Sequence, residues 1–170
     1  MKTKMLTLSL IVLIAAACAQ DKSKRPSPPA VASGTIDGVN IKIDYSQPSV
    51  KGRKIMGGLV PYGEVWRTGA NEATTIEFDK NVKIEGQPLP AGKYTLFTIP
   101  GEKEWSIIFN KKLGQWGAYD YEKNKGENAL VVKVKPASTA FTEVFTFEVG
   151  AKQVTLKWEN TAVSFGVSKN

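Results

Sequence analysis

The sequence predicts an all-β protein: an antiparallel, jelly-roll-like β-sandwich of about nine strands, with two long irregular loops, following an N-terminal signal helix. Three observations carry this expectation. Apolar and polar residues alternate along most of the chain after Gly38, the period of a half-buried strand. Turns rich in Gly, Pro, Asp and Asn separate the alternating runs. Beyond the first twenty residues there is no long stretch rich in Ala, Leu and Glu, so sheet is favoured over helix.

The chain has 170 residues, 42% of them hydrophobic and 23% charged, which suits one globular domain with a real core. It opens on a leader. Lys2 and Lys4 precede an uncharged, mostly apolar run over residues 5–17. As a helix that run reaches only about 20 Å, short of the ~30 Å hydrocarbon core, and it ends in small residues, the pattern of a signal peptide. The stretch "LIAAAC" then resembles a bacterial lipobox. Cys18, the sole cysteine, would receive the diacylglyceryl group and, once acylated, anchor the chain to a membrane. Ala17-Cys18-Ala19 also satisfies the rule for ordinary cleavage, which would leave a soluble periplasmic or secreted protein.

Residues 19–30, "AQDKSKRPSPPA", are polar and proline-rich and read as a flexible tether. Lys22, Lys24 and Arg25 could lie against anionic headgroups. The expected organisation is a signal peptide over residues 1–17, anchor cysteine and tether over 18–30, and a sandwich over 31–170. Losing residues 1–17 removes Lys2 and Lys4 and no acid, so the formal charge of +7 falls by two to about +5. In an exported domain, lysines spread over strands and turns make a solvated surface, and nucleic acid is not an expected partner.

The strands follow in order. Val39, Ile41, Ile43 and Tyr45 alternate with polar residues after an "IDG" turn. Ile76 and Phe78, then Val82 and Ile84, continue the pattern, as do Tyr94 and Leu96 after "EGQPLPAG". "PGEKE" turns into "EWSIIFNK". Further strands are expected over 129–134, 144–149, 154–158 and 162–167, with "VGAKQ" and "ENT" as the last two connections. Two segments do not alternate, residues 46–74 and 111–128, and function is expected there.

The chain contains no histidine, which excludes Ser-His-Asp and Cys-His catalysis and the usual zinc sites. Carboxylate chemistry remains open, and Glu64, Glu72, Asp120 and Glu122 lie in the two loops. Asp120, Glu122 and Asn124 stand at alternate positions, as in a calcium loop, but Gly126 falls one residue late and Val131 occupies the closing glutamate position. "GRKIMGGLVPYGE" lacks the Gly-Lys-Ser/Thr ending and the helix of a phosphate loop. What remains there is a glycine-hinged excursion with two readings: Trp66 plugs the sandwich while Arg67 bridges to an acid or loop carbonyls, or Arg53, Trp66, Arg67 and Asn71 line a pocket for a polar or anionic small ligand. Trp116, Tyr119 and Tyr121 in "WGAYDY" are either rim packing or a platform for sugar rings. No cofactor is expected.

The run "YSQPSVKGRKIMGGLVPYGEVWRTGANEATTIEF" with "LPAGKYTLFTIP", "EWSIIFNK" and "QWGAYDY" resembles the bacterial domain of unknown function 2911 family over roughly residues 33–149. The resemblance implies an exported, often lipid-anchored, sandwich-like domain with no established activity, and it carries over no catalytic residue. The expected function is an envelope lipoprotein module binding a glycan, a small polar ligand or an envelope protein. The alternative is a histidine-free, carboxylate-dependent hydrolase or lyase.

Overall fold

A computed structural model of the protein describes residues 21–170; Cys18 and the leader lie outside them. Strands β1 (Pro29–Ile36) and β2 (Val39–Ser46) form a hairpin. Its turn is Asp37-Gly38, with φ of 49° and 73°, the left-handed pair a two-residue hairpin turn needs. The chain continues through β3 (Thr75–Phe78), β4 (Val82–Ile84), β5 (Gln87–Leu89), β6 (Gly92–Ile99), β7 (Trp105–Asn110), β8 (Asn128–Val134), β9 (Pro136–Val149) and β10 (Gln153–Lys169). The pairings between these strands are all antiparallel. One sheet has six strands in the order β1-β2-β3-β6-β7-β8, and the other has four in the order β5-β4-β10-β9. The expected sandwich is therefore what forms.

Alternation fixes the core. Ile41, Ile43, Ile76, Phe78, Leu96 and Phe109 of the larger sheet face Val82, Ile84, Phe145, Leu156, Phe165 and their neighbours of the smaller one. A second, smaller cluster (Ala73, Phe97, Ile108 and Tyr121) lies apart from this core. Phe97 and Ile108 point oppositely to Leu96 and Phe109, so β6 and β7 are covered on both faces, and residues 111–127 supply the second cover through Tyr121.

Several elements differ from the expectation. The "ENT" turn does not exist: β10 is one strand with register shifts on both sides of Glu159, whose φ is 54°. The buried positions change parity there, from Val154, Leu156 and Trp158 to Val163, Phe165 and Val167. An inserted residue in a bulge shifts the alternation just as a turn would. β9 starts at Pro136 rather than near residue 144, and β5 was not expected. β1 was likewise not expected, the first expected strand being that after the "IDG" turn, and it begins at Pro29, ahead of the expected domain start at 31.

The stretch read as a tether is described from Asp21 onward, and there it lies against the domain. Lys22 and Arg25 both reach Glu72, at 2.9 and 2.8 Å. The Ser27 carbonyl accepts from Asn71 Nδ2 at 2.9 Å, and the Pro28 carbonyl accepts from the Gln47 amide at 2.9 Å.

Candidate functional site

The candidate site is built by residues 47–74, the connection between β2 and β3. Its first part is tied to β9: the Val50 amide donates to the Glu143 carbonyl at 2.8 Å and the Phe145 amide to the Pro48 carbonyl at 2.9 Å. Ile55, Met56 and Val60 then turn into the core. Its last part, "VWRTGANEAT", bridges to β6 through reciprocal Trp66–Thr98 backbone hydrogen bonds of 2.7 and 3.0 Å.

Trp66 is a core residue, 9% exposed. It stacks on Trp158 with centroids 5.8 Å apart and meets Phe145 and Trp105 edge-on at 5.3 and 6.4 Å. Its indole N–H donates to the Gly69 carbonyl at 3.1 Å. After it the backbone bends sharply. Thr68 is fully buried at a φ of 55°, a conformation that disfavours β-branched residues. It is held there by its hydroxyl, which donates to the Trp66 carbonyl and can accept from the Thr98 hydroxyl, and by Thr74 Oγ1 donating to its carbonyl at 2.7 Å. Gly69 follows where a Cβ would stand 3.1 Å from both the Ser46 carbonyl and Thr74 Oγ1.

This bend sets Arg67 into a cavity of about 260 Å³ beside Arg53, Trp66, Leu59, Val60 and Trp158. Arg53, at the exposed edge, is fixed by its Nε and Nη2 donating to the Val50 and Ser49 carbonyls at 3.0 and 2.6 Å. Arg67 lies deeper, and its Nε is buried with no hydrogen-bond partner among the described residues. The ion pairs among those residues include neither arginine, and no carboxylate lines the cavity. The structure thus brings together Arg53, Trp66 and Arg67. Asn71 stands behind the wall, its amide holding the Ser27 carbonyl and Ser46 Oγ.

The two irregular loops meet. Glu72 bridges to Trp116, with the Ala73 amide donating to the Gln115 carbonyl at 3.0 Å and the Gly117 amide to the Asn71 carbonyl at 3.1 Å. Gly117 has a φ of 64°, and a Cβ on it would stand 2.9 Å from the Tyr119 ring and 3.6 Å from Arg67 Nη1, so the tip of Arg67 reaches the second loop. The expected aromatic platform splits into three. Trp116 is 55% exposed, with Arg25 over its ring at 6.0 Å, and it borders a separate cleft of about 310 Å³ shared with Lys22, Asp44, Glu72 and Lys93. Tyr119 is 80% exposed. Tyr121 is 8% exposed, edge-on to Phe97 at 5.2 Å, with its hydroxyl accepting from Asn128 Nδ2; it is a packing residue, not a surface for a ligand.

Three of the four loop carboxylates are paired, and Glu64 is exposed with no ion pair among the described residues. Glu72 is held down to about 2, foremost by its hydrogen bond from Lys22, with Arg25 adding to the effect. Asp120 pairs with Lys123 and Glu122 with Lys125. Residues 121–124 form a short helix, α1 (Tyr121–Asn124), and helical residues two apart do not share a face. Asp120, Glu122 and Asn124 are accordingly not gathered into a calcium cradle; Asn124 turns to Gln115 and the Asp120 carbonyl.

Fold and site define a two-sheet, all-β domain whose β2–β3 connection forms an arginine-lined cavity beside a tryptophan pair. The chain belongs to a family of proteins of unknown function (DUF2911), whose pattern matches residues 27–167. Neither a curated protein nor a solved structure matches it. Sequence reasoning missed Trp158 as a member of the site. The parity change after it was the available signal, since it marks a bulge beside that residue.

Proposed function

We propose that this protein is an exported, lipid-anchored binding module of the cell envelope, without catalysis, whose ligand is a small anion held in the Arg53–Arg67 cavity. One observation carries the reading: two arginines line a cavity that has no carboxylate in its lining. Arg53 is exposed and Arg67 partly buried, and an entering anion would meet both positive charges with no acid of the lining competing for them. The leader over residues 1–17 and Cys18 support the envelope placement.

Trp116 favours a second reading, a sugar ring resting on its exposed indole beside the Lys93–Asp44 cleft. Nothing favours the carboxylate-dependent hydrolase or lyase: of the four loop acids, Glu72, Asp120 and Glu122 are each engaged by basic residues.

Thermal denaturation against a panel of small anions, neutral analogues and sugars tests the proposal. A ligand at a hundred times its Kd should raise Tm by about 5–10 °C, and the Arg53→Gln/Arg67→Gln double variant should lose the response to anions. A response confined to sugars and abolished by Trp116→Ala would move the site to the cleft. No response to any class would leave a scaffold.

A further inference from the structure

Ile41 and Ile43 of β2 face the core, so Asn40, Lys42 and Asp44 stand in a row on the outer face of the larger sheet. Lys42 lies in register with Ser33 and Glu77, and Asp44 with Val31 and Thr75, so these residues share that face. Two open clefts lie on it. One, of about 310 Å³, is lined by Trp116, Glu72, Asp44 and Lys93 among others, and the other, of about 460 Å³, by Lys42, Glu77, Asn40 and Val31. The Lys42–Asp44 ion pair, at 2.9 Å, joins the two linings. The row from Asn40 to Asp44 spans about 14 Å. Because β3 runs opposite to β2, Glu72, which precedes Thr75, and its bridge partner Trp116 lie past the Asp44 end of that row.

We propose that the two clefts form one groove for a chain of uncharged sugars, with one ring on Trp116 and the next units passing Asp44 toward Glu77. This rests on the reading that a sugar ring lies on Trp116, and it extends that reading from a single ring to a chain. Trp116 is 55% exposed and offers a flat apolar surface with a polar edge. Charge disfavours an ionic chain. Lys22 is drawn to Glu72, and Lys42 and Lys93 are both drawn to Asp44, so an arriving anion finds the lysines already engaged. That arrangement leaves one acid over. Glu77 stands in register between Lys42 and Lys93, yet both turn to Asp44 instead, and Glu77 is exposed with no ion pair among the described residues. Free carboxylate oxygens beside ammonium groups set acceptors next to donors, which suits hydroxyls, since each both donates and accepts. Size points to more than one ring. At ~30 Å³ for each water-sized group, the clefts of about 310 and 460 Å³ take roughly ten and fifteen non-hydrogen atoms, so one ring fills the first and leaves the second open.

Chemical-shift titration of the labelled full mature chain tests the groove. The probes are the neutral tetrasaccharides of the cello, malto, laminari and N-acetylchito series, their monosaccharides, and tetragalacturonate. At least one neutral tetrasaccharide should bind roughly tenfold or more tightly than its monosaccharide and than tetragalacturonate. The Trp116 indole N–H should shift with both lengths, and the amides of Asn40, Lys42 and Glu77 with the tetrasaccharide alone. Trp116→Ala should weaken the tetrasaccharide by roughly tenfold or more. Glu77→Gln, a change at an exposed position, should weaken it about fivefold and leave the monosaccharide unchanged. A monosaccharide binding as tightly as the tetrasaccharide, dependent on Trp116 and indifferent to Glu77, would overturn the groove and leave the single-ring reading standing. Tetragalacturonate binding more tightly than every neutral chain would overturn the uncharged assignment. Binding that survives Trp116→Ala unchanged, or no sugar binding at all, would overturn both the groove and the ring.

Discussion

Gly69 shows at the scale of one residue how the cavity is made. Its φ of 155° is one L side chains rarely adopt, and the 3.1 Å approaches to the Ser46 carbonyl and Thr74 Oγ1 would crowd a methyl group. Its carbonyl also fixes the Trp66 indole, so any shift of Gly69 reaches the tryptophan stack. Gly69→Ala should destabilise the domain by about 1–3 kcal/mol, read as a lower urea midpoint. The same variant should weaken anion binding, because Arg67 and Gly69 lie on one bend. An unchanged midpoint would mean that the bend relaxes without cost. Of the four residues the sequence groups there, Arg53, Trp66 and Arg67 line one cavity and Asn71 does not. The opposite fate of two adjacent indoles, Trp66 donating and Trp158 without an acceptor among the described residues, was not legible, because it depends on which carbonyl each N–H meets after folding.

At the scale of the element, the segment from Lys22 to Pro28 behaves as a strap. Lys22 and Arg25 hold Glu72, and Asn71 holds Ser27, so the strap and the second loop meet on the same two residues. Glu72→Gln should release it, with trypsin cutting sooner after Lys22 and Lys24. Global stability should fall by no more than about 1 kcal/mol, since Glu72 is 40% exposed and the pair is screened. The pH dependence follows from a carboxylate held near 2 rather than at its ordinary 4.5. A depressed pKa gives stability that is fully present above pH 4.5 and lost as pH falls through 2. Protection factors over residues 22–28, corrected for the pH dependence of intrinsic exchange, should therefore stay high at pH 5 and fall toward pH 2. Hairpins such as Asp37-Gly38 were readable, because local turn chemistry decides them. The docking of a proline-rich polar stretch was not, because ion pairs between residues 47 to 50 positions apart leave no local pattern. The bulge in β10 was half readable: its parity change is plain, but a turn and a bulge produce the same letters.

At the scale of the whole molecule, the sheets and core follow from alternation, whereas the meeting of the two loops is a property of topology. Replacing Cys18 tests the proposed placement. Wild type should incorporate a clickable fatty acid and sediment with membranes, and Cys18→Ser should do neither; equal labelling would refute the anchor. The strap gives that anchor a further meaning. Four chain steps separate Cys18 from Lys22, a reach of at most about 14 Å, and Lys22 is fastened to Glu72. A domain so moored would have little slack to swing: it would ride close on the lipid, with the Trp116 side turned toward the headgroups and its heading set by a single carboxylate.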